Sequence, residues 1–195
     1  MPRFSTDERD RIREDLLIKG ERLFVQHGLK KVTVDDLTKE TAIAKGSFYA
    51  FFDSKEHLYV EILYRIGNEM LERTDTFLTK NKSLPPRVLV KKLIAWSFDE
   101  MEKNPLLMQQ SLEIRTHLLR KLSKEFLERY PDIDVESVKV LTAHGIKFSC
   151  EDEIVGQVFQ MLSVAYDGMH DYAPAKKKIV IDILISGTIN EIVEE

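Results

Sequence analysis

Apolar residues return along this chain every three or four positions, first as Ile12, Leu16 and Leu23 with Leu17 and Phe24 beside them. That recurrence marks an amphipathic helix with one buried stripe. Ser5 followed by Glu8 predicts a capping box at its start, and Gly28 after His27 suits its C-cap. Thr33 with Asp36 is a second start signal, with Val32 and Leu37 at the staple positions, and that short helix must end near Thr41. Asp53 with Glu56 is a third, opening a helix that runs to about residue 79. Starts so close together leave residues 33–52 room for two short helices and a tight turn, the layout of a helix-turn-helix.

Beyond residue 80, prolines and glycines punctuate the pattern. Pro86 opens a helix to Asn104, and one helix or a pair covers 106–130 before Pro131. Gly145 ends another over 134–143, Ser149 with Asp152 predicts the cap of the next, and Pro174 precedes a last helix to Val193. No period-2 pairs of strands or Asn-Gly turns appear. The expected architecture is all-α with about nine helices. An N-terminal three-helix helix-turn-helix domain is expected over 1–53, and a C-terminal helical bundle domain over 54–195.

Two parts of the bundle are apolar on more than one face. The helix from Pro86 carries Leu89, Leu93 and Trp96 on one side and Val90, Ile94, Phe98 and Met101 on another, so it should be central. Met108, Leu112, Leu119 and Phe126 are its expected partners. A filled core accounts for each of these residues singly; a cavity lined by Trp, Met and Phe would also suit an apolar ligand. Residues 179–185 are apolar nearly all round except for Asp182, and Ile154, Val155, Val158, Phe159, Leu162, Ala165 and Tyr166 also spread widely. Such helices need burial by their own domain and by a partner. The expected self-association surface comprises Val155, Phe159, Leu162, Tyr166, Ile183 and Leu184. Their β-branched content would also suit a buried strand, but Pro174, the length and the lack of a pairing partner weigh against it.

Composition narrows the classes. Cys150 is the single cysteine, which excludes an internal disulfide and a Cys-rich metal site and fits a reducing cytoplasm. The N-terminus has no apolar signal segment, and no apolar run is long enough for a bilayer, so no membrane role is expected. Glu113 with His117, and Asp167 with His170 and Asp171, share helix faces, but such sets are usually solvated, so neither metal nor cofactor is expected. No Gly-rich phosphate loop or nucleophile setting suggests an enzyme. The net charge is −4, while the first sixty residues balance to zero. Any nucleic-acid binding must therefore rest on a few well-placed cations.

The turn region supplies them. Leu37 and Ile43 bracket the turn, and Phe48 and Phe52 face inward at i, i+4, which leaves Lys45, Gly46, Ser47 and Tyr49 for the outer surface. Glycine in a helix costs about 1 kcal/mol relative to alanine, and makes sense where a DNA strand must approach the backbone. Hydroxyls can donate to phosphate, and lysine can reach phosphate or guanine. Lys55 falls in a first helical turn, where the dipole disfavours a cation but free N–H groups complete a phosphate site, and Thr33 marks a second helix N-terminus. The bland reading is a plain surface on a small helical bundle.

Residues 9–63 resemble the N-terminal domain of the TetR family of bacterial regulators. The resemblance rests on Ile12 and Leu16, on Leu23, Phe24, Val25, Gln26, His27 and Gly28, and on residues 32–37. It continues through 43–52 and Ser54, Lys55, Glu56 and Leu58. It implies a helix-turn-helix in which Thr33, Lys45, Gly46, Ser47, Tyr49 and Lys55 touch double-stranded DNA. It implies a homodimer formed by the last two long helices. It further implies a repressor released from a palindromic operator by an apolar or amphipathic small molecule, in a pocket for which Trp96, Met101, Met108 and Phe126 are candidates. Three positions depart from the pattern. Ala42 stands at the turn glycine, Ala44 replaces a Ser or Thr cap, and Ala50 with Phe51 replaces a more polar pair. The competing functions are a helix-turn-helix regulator controlled by a protein partner and a small helical enzyme or carrier.

Overall fold

The computed structural model describes residues 5–109, 112–130, 132–169 and 171–195. Among them it contains eleven helices: α1 (Thr6–Lys31), α2 (Val34–Thr41), α3 (Lys45–Phe48), α4 (Lys55–Asn81), α5 (Pro86–Lys103), α6 (Pro105–Met108), α7 (Leu112–Lys121), α8 (Lys124–Leu127), α9 (Ile133–Ala143), α10 (Asp152–Asp167) and α11 (Pro174–Ile192). The all-α expectation holds. The larger count arises within 105–130, where separate caps divide the chain: Asn104 accepts from Leu106 and Leu107 N–H, and Ser123 accepts from Phe126 N–H. An isolated antiparallel bridge joins Phe148 and Val193. No helix among the described residues is long and apolar enough to cross a membrane.

Several predicted starts and stops shift by local chemistry. Ser5 accepts from Glu8 N–H at the start of α1. The chain passes through Gly28 at φ +76° and makes another turn to Lys31, so Gly28 kinks the helix before its end. Thr33 and Asp36 form the complete reciprocal capping box. At α4 the cap is Ser54, whose hydroxyl accepts from His57 N–H at 3.2 Å, rather than Asp53, whose carboxylate meets His57 Nδ1. Ser149 does not cap α10; its hydroxyl donates to the Glu191 carbonyl.

The chain packs as two compact units, one of Met1–Ile66 with Asn104–Tyr130, the other of Gly67–Lys103 with Pro131–Glu195. In the first, Leu16, Phe24, Leu37, Phe48, Leu58 and Tyr59 are essentially sealed from solvent, with Phe24 edge-on to Tyr59. In the second, α5 is central as its two apolar faces require: Leu89, Val90, Leu93, Ile94 and Phe98 are all buried. Phe98 stacks on Tyr166 at 4.2 Å, and the Tyr166 hydroxyl donates to Glu102. Burial and that carboxylate push the phenol's pKa up. Asp182, the polar interruption of α11, pairs with Lys91 of α5 at 2.7 Å. Leu119, expected in the core, is 68% exposed because its position on α7 turns outward.

Candidate nucleic-acid interface

The site is built on a turn that its own residues strain. Ala42 adopts φ 56°, ψ 37°, the left-handed conformation, and is the sole non-glycine residue with positive φ among those described. For a residue with a Cβ this costs roughly 1–2 kcal/mol. Two residues on, α3 begins at Ala44 with no side-chain cap, as the missing hydroxyl leads one to expect. The α3 helix holds only four residues, too short to stand alone. It is held from below, where Phe48 is fully buried and stacks at a tilt on Phe52, 6.0 Å away.

On the outer side, Lys45 is exposed and pairs with the Asp35 carboxylate at 3.0 Å. That hydrogen bond and the charge of Asp35 raise the lysine pKa. Tyr49 is 51% exposed. A Cβ built on Gly46 would meet nothing within 4 Å. Thr33 is exposed at the start of α2, where its hydroxyl donates to Asp36 at 2.6 Å and accepts from the Asp36 N–H. The Thr33 hydroxyl and the Thr33 backbone N–H both donate to the Asp36 carboxylate and hold it below its ordinary range.

Two members of the expected DNA set sit elsewhere. Ser47 is buried. It lines a groove of about 580 Å³ together with Glu8, Arg11, Ile12, Asp15 and Thr41. Lys55, expected at a phosphate, donates to the carbonyls of Leu29, Lys30 and Val32 at 2.8, 3.3 and 2.6 Å. An ammonium has three N–H donors, and here all three satisfy the carbonyls at the end of α1.

The other sets also divide. Trp96 and Met101 pack against the core of the second unit, with Trp96 stacked on Phe77 at 5.0 Å. Met108 and Phe126 belong to the first unit, where Phe126 stacks on His57 at 3.9 Å. Of the expected self-association residues, Val155, Leu162 and Tyr166 are buried in the chain's own core and leave the surface set; Phe159 is half-buried there. Ile183 and Leu184 remain exposed, joined by Ile154 and Ile179, which the sequence places on these apolar faces, and by Met161 and Val164, which the sequence reading passed over. The i, i+7 spacing of Ile154 and Met161 was the available signal. Glu113 pairs with Lys30 and His117 with Glu56, while His170 lies outside the described residues. Among the described residues no cluster could hold a metal ion.

A strained turn, a short surface helix and two flanking helices packed beneath it define a helix-turn-helix protein. Residues 16–62 match the family described as bacterial regulatory proteins, tetR family. The HTH-type transcriptional repressor DhaR of Mycobacterium sp. (strain GP1) is 33% identical over 75 residues, which are 38% of this chain and 37% of DhaR. The chain thus spans little more than a third of that relative. The HTH-type transcriptional regulator YhgD of Bacillus subtilis (strain 168) is 25% identical over 178 residues, 87% of this chain and 90% of YhgD. A TetR-family transcriptional regulator from Pectobacterium atrosepticum shares the fold with a TM-score of 0.65 at 16% identity, over 95% of this chain and 94% of that one. So does the transcriptional regulator FadR from Bacillus subtilis in complex with stearoyl-CoA, with a TM-score of 0.54 at 15% identity, over 89% and 98%. Residues 16–62 thus match the tetR family of bacterial regulatory proteins, and the chain as a whole shares the fold of TetR-family structures.

Proposed function

We propose that the chain is a homodimeric transcriptional repressor of the cytoplasm that binds a palindromic operator in double-stranded DNA and leaves it when a small apolar or amphipathic molecule binds. The observation that carries the DNA reading is Gly46. Nothing in the chain itself occupies the space a Cβ would take there, and its φ is not positive. Alanine would therefore fold better by about 1 kcal/mol. The reason for glycine lies outside the chain, on the face shared with Lys45 and Tyr49, and a close-approaching nucleic-acid backbone supplies it. In this reading Lys45, Gly46 and Tyr49 meet the groove and its phosphates, and α2, opened by Thr33, offers first-turn N–H groups to a phosphate. Residues 1–53 are the DNA-binding segment, and the remainder carries dimerisation and effector response.

The dimer reading draws on the exposed apolar row of α10 and α11. A two-fold dimer must place its recognition helices about 34–36 Å apart, or a multiple of that, to enter successive major grooves. The effector reading draws on the family and on the stearoyl-CoA held by FadR, with Trp96 and Met101 as lining candidates. The test has two stages. Genomic fragments captured by the wild-type protein identify its operator. Calorimetry of stearoyl-CoA, with and without that operator, then measures linkage. Effector and operator should each weaken the other by the same factor, typically about 5–150-fold. Equal affinity in both arms assigns control to a protein partner, and capture of no DNA overturns the repressor reading.

A further inference from the structure

The α3 helix cannot hold its own position, and the structure shows what holds its far end. Arg9 of α1 donates from Nη2 to the carbonyl oxygen of Ala50 at 2.7 Å, across 41 positions of sequence. The same guanidinium lies over the Phe51 ring, 5.3 Å from its centre. One helical turn later, Arg13 lies over the Phe52 ring at 5.4 Å and pairs with Glu61 of α4. Residues i and i+4 share a helix face, so two arginines of α1 grip two successive aromatic residues just after α3. We propose that Arg9 and Arg13 form a clamp that sets the position of the recognition helix, as positioning residues for DNA binding.

The physical need is specific to this chain. The four N–H groups at the start of a helix and the four carbonyls at its end lack internal partners. At the start of α3 no side chain answers, since Ala44 has no hydroxyl, and the preceding Ala42 is strained. At the far side, Arg9 satisfies the carbonyl of Ala50, which closes the turn begun by the Ala50 N–H bond to Ser47. A guanidinium suits both tasks, because its plane stacks on a ring while its edge donates to an oxygen. Arg13 extends the grip to α4 through Glu61, so α1, the segment after α3 and α4 are tied at one place.

The clamp rests on the DNA-binding reading for its consequence but not for its existence, and two measurements separate them. Hydrogen exchange on the DNA-free protein compares wild type, Arg9→Ala and Arg9→Ala with Ala44→Ser. The clamp requires faster exchange at the amides of Ala50, Phe51 and Phe52 in Arg9→Ala, with the melting temperature and the amides of α4 little changed. Binding to a duplex enriched by the wild-type protein from a random-sequence pool is then followed from 50 to 200 mM salt. Arg9→Ala should weaken binding roughly fivefold per half-site, about 1 kcal/mol, with an unchanged salt slope. Ala44→Ser, which firms α3 from its other end, should recover more affinity in Arg9→Ala than it adds to wild type, a non-additivity that direct DNA contact would not produce. Unchanged exchange overturns the clamp. A salt slope reduced by about 1 per half-site, with no rescue by Ala44→Ser, makes Arg9 a phosphate contact instead. If the wild type enriches no duplex, the DNA reading fails, and the exchange result alone decides the clamp.

Discussion

The Nζ of Lys55 lies 2.6 Å from the carbonyl oxygen of Val32, on the residue that links α1 to the capping box of α2. With the Leu29 and Lys30 carbonyls it makes a three-point strut from the start of α4 to the end of α1. Lys55→Met keeps the aliphatic stem and removes the strut. Bonds to a charged donor are each worth about 1.5–3 kcal/mol, so urea unfolding should show a loss of that order, with the salt slope of duplex binding unchanged. A stable variant with its slope lowered by about 1 per half-site would return Lys55 to the DNA face.

Asp35 holds Lys45 at 3.0 Å on the same exposed face. A phosphate arriving at Lys45 meets this carboxylate as a competitor. Asp35→Asn should therefore tighten duplex binding several-fold at low salt and steepen its salt dependence, while Lys45→Ala should weaken binding and flatten it by about 1 per half-site. Filter binding across a salt series checks both signs.

The strained turn is a reservoir of stability. Ala42→Gly relieves the left-handed conformation but loosens the unfolded chain, for a net gain of roughly 0.5–1 kcal/mol. Ala44→Ser restores the cap of α3 and should add about 1 kcal/mol. Thermal unfolding of the two variants should show raised midpoints. A lowered midpoint for Ala42→Gly would mean that the turn is not left-handed in solution.

Exposure divides the apolar residues of α10 and α11 into two groups with opposite phenotypes. Ile183 is 65% exposed and Met161 56%, whereas Val155 is fully buried. Ile183→Glu or Met161→Glu should leave the helical circular dichroism intact and shift light scattering from dimer to monomer. Val155→Glu buries an unpaired charge inside the chain and should unfold it, at a cost of several kcal/mol. Wild type that scatters as a monomer sinks the dimer reading itself.

Glu56 is buried and bonded to His117 Nε2 at 3.1 Å. Burial alone would raise its pKa, but the His117 bond, its own backbone N–H and the Lys55 charge outweigh burial and hold the carboxyl below its ordinary 4.5. A folded-state pKa lower than the unfolded one adds stability above pH 4.5 and loses it as pH falls through the folded value. Glu56→Gln should therefore be less stable at neutral pH and show a shallower decline below about pH 4.5 in urea midpoints measured against pH. An identical acid slope in both proteins removes Glu56 from the acid response.

The all-helical class, the helix-turn-helix and the two weak points of the turn were legible in the sequence because each depends on local chemistry. Apolar spacing sets helices, a missing hydroxyl at Ala44 removes a cap wherever the helix lies, and Thr33 with Asp36 closes its box within four residues. The central place of α5 was legible too, since two apolar faces on one helix require burial on both. What the sequence alone left undecided was the direction each side chain takes once helices meet. Ser47 and Tyr49 flank the same buried phenylalanine, yet packing buries one and leaves the other exposed. Lys55 is a cation near the turn in either reading, but only the approach of α1 brings three unpaired carbonyls to its ammonium. Val155 and Ile154 are adjacent apolar residues, and the tertiary fold alone made one core and the other surface. The grip of Arg9 on Ala50 spans 41 positions and leaves no trace in local pattern, because hydrogen bonds between distant segments are fixed by the packing of whole helices and not by the spacing within one.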